Sequence, residues 1–350
     1  MNLIRRLYRG ETSFDFVGAR RLWLTISAAL VLVSLLALIV FGLNLSLDFR
    51  GGVAVEASNP AGASVADMRA ALAPLGLDEA KIQELAGGAD IRVQVGALTP
   101  SESEAFQKAV AEATGTTISE ISLNEVGPTF GAQITNRALT ALIVFLAAVV
   151  LFISWRLEWK MAVAGIAALF HDLVITFGIY ALTRFEVTPA TVIGVLTILG
   201  YSLYDTVVVF DKVKENVEEL HTDRMTITEL VNRSMNQVLM RSINTSLTSL
   251  LPVGSLLFVG SFLLGAQTLR DFALALFVGI AAGTYSSIAV ASPILASWKE
   301  HEEEWARVRR RRDRGRGSRS ETPASPTVTK QAPTRKSGAT PRPPKKGRKR

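Results

Sequence analysis

The chain has 350 residues, 49% of them hydrophobic and only 20% charged, a balance that excludes an ordinary soluble protein. Its formal charge of +7 is uneven: residues 307–350 hold 17 Lys/Arg against Asp313 and Glu321, a net of +15, which leaves −8 for the rest. There is no cysteine, which excludes disulfides, Cys-ligated zinc, iron–sulfur clusters and cysteine catalysis.

A bilayer core takes about 20 apolar residues in a helix, because the backbone must satisfy its own hydrogen bonds there. Residues 1–21 carry Arg5, Arg6, Arg9, Arg20 and Arg21, and residues 22–43 follow without a charge. No small-residue cleavage pattern follows, so this stretch reads as an uncleaved signal-anchor with its amino terminus inside. Further spans are expected at 138–155, 161–183, 187–210, 242–264 and 272–298. Six spans put both termini on the cytoplasmic side. The cations of the short loops agree: Arg156 and Lys160, then Lys212, Lys214, Arg224, Arg233 and Arg241, fall inside, against Arg137, Arg184 and Arg270 outside. The expected class is an α-helical polytopic membrane protein with one exoplasmic α+β domain.

That domain is 44–136, with 12 acidic and five basic residues. A strand is expected at 53–56, then a helix at 64–75 with Ser64 as cap. Strands at 81–86 and 91–95 flank Gly87-Gly88, a hairpin signal. Thr99-Pro100-Ser101-Glu102 opens a second helix to about residue 113, with Thr99 and Glu102 as a capping box. A last strand is expected at 117–126. The order β-α-β-β-α-β is the ferredoxin-like arrangement. With no histidine, cysteine or nucleotide loop, the domain reads as a binding or gripping module.

Ionisable side chains inside a span are costly and face a cavity or a partner. His171-Asp172 lies 11 residues from Lys160, about 16 Å along a helix and near the midplane. Asp205 sits in the inner third of span four, and Arg241 at the cytoplasmic start of span five. Asp205 and Arg241 are expected to face each other, with Asp205 gaining and losing a proton. Arg241 also reads as an anchor snorkelling to the inner surface, and His171-Asp172 either as a helix-locking pair or as a proton relay, so His171 and Asp172 stand with Asp205 and Arg241 as proton-path candidates. Gly279 and Gly283 read as close helix packing, and Pro189, Pro252 and Pro293 as kinks or span ends. The chain has no nucleotide-binding, zinc-protease or serine-hydrolase motif, so no enzymatic activity and no cofactor or metal is expected.

The stretches FDFVGAR (with Asp15, Gly18 and Arg20), LDFRGG (Asp48, Arg50, Gly51 and Gly52), VGPTFG (Gly127 and Pro128) and GYSLYDTVVVFDKVKEN (Asp205 and Asp211) resemble the SecF family of protein-export membrane proteins. LMRSINTSLTSLLPV, the His-Asp pair and GTYSSIAVASP fit the same family, so the resemblance runs in order from Phe14 to Trp298. It implies a six-span half of the resistance-nodulation-division architecture in the bacterial plasma membrane, paired with SecD beside the SecYEG channel. It implies that proton flow moves the external domain and draws preproteins outward after SecA has begun translocation. SecA is then an indirect partner, with YajC and YidC as further neighbours. The family's proton-path aspartate and arginine fall on Asp205 and Arg241; Asp211 is expected to cap its helix or pair near Lys214. A small-molecule exporter of the same superfamily is the alternative function, and a structural scaffold for the channel a third. The tail, 299–350, exceeds the family pattern; it reads as a disordered segment on anionic lipid, with RNA contact as the alternative.

Overall fold

The computed structural model describes residues 12–219, 225–263 and 267–310. Arg5, Arg6, Arg9, Arg224 and the basic tail beyond 310 lie outside the described residues. Within them, six helices are long and apolar enough to cross a membrane.

The chain enters through α1 (Arg20–Phe41), a two-residue strand β1 (Asn44–Leu45) and the single turn α2 (Leu47–Arg50). The α+β domain follows: β2 (Gly52–Ser58), α3 (Val65–Leu72), β3 (Lys81–Leu85), β4 (Asp90–Val95), α4 (Pro100–Thr114) and β5 (Ser122–Val126). Its sheet runs β3-β4-β2-β5, with every neighbouring pair antiparallel. This is the ferredoxin-like order, in which β4 lies between the two strands of the first β-α-β unit. Alternation along β4 turns Ile91, Val93 and Val95 inward, onto Met68 and Leu72 of α3 and Phe106 and Val110 of α4.

Capping chemistry sets the local boundaries. Ser64 with Asp67 and Thr99 with Glu102 form reciprocal capping boxes. Hydrogen bonds from Ser64 to Asp67 and from Thr99 to Glu102 hold both carboxyls below the usual range. Helix α3 is shorter than its pattern, because Pro74 lies in a 3₁₀ turn that Gly76 ends. The strand expected from 117 starts only at Ser122, since Thr117 and Glu120 form a third capping box around a 3₁₀ turn.

Next come α5 (Pro128–Arg156), α6 (Trp159–Thr183), β6 (Glu186–Val187) and α7 (Pro189–Glu219). Then α8 (Ile227–Ser255) passes into a π-helical stretch, Leu256–Leu263. Finally α9 (Gln267–Ser286), a π-helical turn (Ser287–Ala291) and α10 (Ser292–Lys299) make one continuous apolar span. Several helices outrun their apolar stretches. α5 begins ten residues before 138, with Pro128 in its first turn. α7 continues past 210 because Val213 and Asn216 are buried, and Thr226 with Glu229 starts α8 well before 242. Arg241 therefore stands in mid-helix and not at a helix start.

The apolar window of α6 is 61% buried against 11% for α5, so α6, α7 and α9 form the inside of the bundle and α1 and α5 its flanks. Small residues allow the close crossings. A Cβ on Gly279 would collide with Ile198, one on Gly283 would lie 2.8 Å from Ser202 Cβ, and one on Gly178 would collide with Ser34.

Candidate functional site

The GG motif joins the α+β domain to the bundle. Gly51 and Gly52 have φ of +74° and +132°, a region that disfavours any side chain. A Cβ on Gly51 would stand 2.9 Å from Pro128 Cα, and one on Gly131 would stand 2.9 Å from Phe49 O. Gly127 and Pro128 open α5 against this turn, Asp48 accepts from Ser46 Oγ at 3.1 Å, and Arg50 is exposed. On the same side, β1 pairs with β6, Asn44 Nδ2 donates to Arg184 O at 2.8 Å, and Lys81 of β3 forms an ion pair with Glu186. The domain is thus tied to the loop between α6 and α7.

The FDF motif docks at the other end. Asn236 both accepts from Phe14 N and donates to Phe14 O at 2.9 Å, while Asn232 Oδ1 accepts from Val17 N at 2.9 Å. Asp15 Oδ1 accepts from Gly18 N at 2.7 Å and from Asn232 Nδ2 at 2.5 Å; a Cβ on Gly18 would collide with Asp15. Arg20 reaches Glu300 at 2.9 Å. Burial raises the Glu300 carboxyl, but hydrogen bonds from Thr228 and Arg20 outweigh it and leave the group below its usual range. Asp211 pairs with Arg156 at 3.1 Å, and neither caps its helix nor pairs with Lys214; α7 runs on past it, and Lys212 takes Glu215.

Two carboxylates lie inside the bundle. Asp205, 6% exposed, accepts from Ser242 Oγ at 2.7 Å through Oδ1, and its Oδ2 accepts no hydrogen bond. Ser287 lies beside it. Arg241 does not bond Asp205, although its charge acts on that acid: Nη2 donates to Tyr204 OH at 2.7 Å, and the guanidinium lies 5.8 Å over that ring. The cause is helical periodicity. Consecutive residues point about 100° apart, so on α8 Ser242 faces in and Arg241 out, and on α7 Asp205 faces in and Tyr204 out.

Asp172, 4% exposed, takes His171 Nδ1 at 3.1 Å on Oδ1, and Ser202 Oγ at 2.5 Å with Ser286 Oγ at 2.8 Å on Oδ2. The His171 ring stacks on Tyr285, with centroids 5.9 Å apart. Sequence reading names both acids yet misses Ser202, Ser242, Ser286, Asn232 and Asn236. Hydroxyls recurring among apolar residues of spans four to six were the available signal. Among the described residues, no group of three or more His, Asp or Glu side chains is placed to hold a metal ion.

Residues 106–301 match the family profile described as protein export membrane protein SecD/SecF, C-terminal, and residues 36–58 match the SecD/SecF GG motif. The chain is 42% identical over 307 residues to a protein translocase subunit SecF of Streptomyces coelicolor, covering 87% of this chain and 82% of that one. It is 43% identical over 338 residues to the corresponding subunit of Mycobacterium tuberculosis, covering 91% and 76%. The chain belongs to the SecF family. A solved structure of SecDF, a translocon-associated membrane protein from a Thermus species, is similar at 35% identity and a TM-score of 0.75. The match covers 86% of this chain and 40% of that one, so a SecF-family chain spans well under half of SecDF. The two matched profiles span both the turn at Gly51-Gly52 and the bundle that holds Asp172 and Asp205.

Proposed function

We propose that this chain is an accessory subunit of the Sec translocase that works with SecD in the bacterial plasma membrane, using the proton gradient to promote export of unfolded preproteins after SecA-driven translocation. The observation that carries this reading is Asp205. It is an acid in a membrane-length helix, buried, fixed through one oxygen and, among the described residues, without a hydrogen-bond partner at the other, which is buried too. An ionised carboxylate costs several kcal/mol in such surroundings, so its charge state is tied to the packing around it. A protein that must turn a gradient into movement needs such a group. The long SecDF relative supports SecD as the companion, because this chain corresponds to only part of it.

In this reading both termini are cytoplasmic and the α+β domain is exoplasmic. SecYEG is the neighbouring channel, SecA an indirect partner, and YajC and YidC are further neighbours. The basic tail rests on anionic lipid. The chain carries no enzymatic chemistry of its own, and Arg241 tunes the approach to Asp205 from the Tyr204 side. The test is secretion of a precursor protein by cells carrying Asp205→Asn. The reading expects impaired secretion at wild-type levels of the subunit; normal secretion at that level removes the proton-coupling role.

A further inference from the structure

We infer that His171 and Asp172 form a second protonation site within this chain, coupled to Asp205 through the serines of α7 and the π-helical turn after α9. The inference rests on the reading of Asp205 as a proton-binding group.

Three observations converge. First, Asp172 is saturated: both oxygens are engaged, by one imidazole nitrogen and two hydroxyls. All three groups can donate to an ionised carboxylate, which accepts only. Second, no lysine or arginine among the described residues bonds to it. A bare carboxylate among apolar helices is costly, and His171 is the partner that can neutralise it. The pair is neutral when it holds one proton beyond imidazole plus carboxylate, carried by either residue. Third, the far nitrogen of His171, Nε2, is buried and has no hydrogen-bond partner, although the residue is only 5% exposed. A ring kept only to lock helices would have little reason to leave that nitrogen unmet.

The coupling is geometric. Ser202, which bonds Asp172, lies one turn before Asp205 on α7. Ser286, which bonds Asp172, precedes Ser287, which lies beside Asp205 and bonds Thr206 Oγ1 at 3.0 Å. These two serines sit where α9 gives way to a π-helical turn, a local irregularity common at functional sites. Reorientation of either hydroxyl after a charge change at one acid is felt at the other. Among the described residues, the titratable group facing the pair is Tyr285 from α9; Asp205 of α7 lies beyond Ser202, and Arg241 of α8 turns outward to Tyr204. From α1 come Ser27, bonded to Tyr285 OH at 3.0 Å, and the Trp23 carbonyl, neither of them charged.

The sequence contains three histidines, so nitrogen-15 labelling of histidine in the full chain gives a spectrum in which His171 is identified by its loss in His171→Gln. Nitrogen shifts change strongly when the proton sits on the ring and weakly, through the Nδ1 hydrogen bond, when it sits on Asp172. The inference expects the His171 signals to titrate in two steps, with Asp205→Asn removing one step and moving the other by about one pH unit. Ser286→Ala, which removes a donor to Asp172, should also move the His171 midpoint. Signals that stay flat, or that titrate in one step unmoved by Asp205→Asn and Ser286→Ala, overturn the inference and leave a static helix-locking pair. Export is not measured here, so a failure is distinct from failure of the proposed function.

Discussion

Ser242 Oγ lies 2.7 Å from Asp205 Oδ1, while Arg241, the residue before Ser242, turns away to Tyr204. Asp205 is therefore oriented by a neutral hydroxyl, with the arginine one side chain removed. A hydrogen bond to a charged group contributes about 1.5–3 kcal/mol. Ser242→Ala should destabilise the purified chain by an amount of that order, read as a lower thermal midpoint, and Ser242→Thr should restore most of it. Equal midpoints for Ser242→Ala and wild type would show that the hydroxyl does not orient Asp205.

The GG turn makes a sharper stability prediction. Gly51 combines a φ of +74° with a Cβ position 2.9 Å from Pro128 Cα. Strain of this kind costs about 1–3 kcal/mol before any clash is counted. Gly51→Ala should destabilise the chain by at least that much, whereas Gly96→Ala, with nothing within 4 Å of its Cβ, serves as the tolerated control. Thermal unfolding of both variants decides the matter.

Much of this was legible beforehand, and the reasons are physical. Apolar runs report what lipid or core demands, so six spans and the two acids inside them could be read directly. Capping boxes at Ser64 and Thr99 are local chemistry and were equally visible. What escaped was which face of a helix each polar residue takes and which distant residue it meets. The step from Arg241 to Ser242 is one residue in sequence but about 100° in space. The Asn232 and Asn236 clamp on the FDF motif joins residues more than 200 positions apart, and no local pattern encodes that.

That clamp can be tested by hydrogen exchange. Asn232→Ala removes the acceptor of the Val17 amide and a donor to Asp15. Each hydrogen bond is worth about 0.5–1.5 kcal/mol net, which corresponds to a roughly two- to twelvefold loss of protection at Val17. Unchanged exchange at Val17 would mean that the loop is held by other contacts.

Stability should also depend on acid in a definite direction. Asp67 and Glu102 are held below the usual carboxylate range by the hydroxyls and amides of their caps, and Glu120 by the Thr116 hydroxyl and then by its cap, Thr117. A carboxyl depressed on folding contributes fully above its unfolded value, and the contribution is lost as pH falls through the folded value. The contribution of these three caps to the thermal midpoint should be constant around neutral pH and should be lost only below the ordinary range of Asp and Glu. Asp67→Asn and Glu102→Gln should flatten the resulting acid decline; an unaltered acid limb in both variants contradicts the assignment.

The central claim is that Asp205 couples the proton gradient to export, and it is tested most directly in proteoliposomes holding this chain with its translocase partners. SecA-started translocation of a precursor is followed with and without an imposed proton gradient. The account predicts that Asp205→Asn, incorporated to the wild-type level, keeps the gradient-independent translocation and loses the gradient-stimulated part. Full gradient stimulation in Asp205→Asn would contradict it.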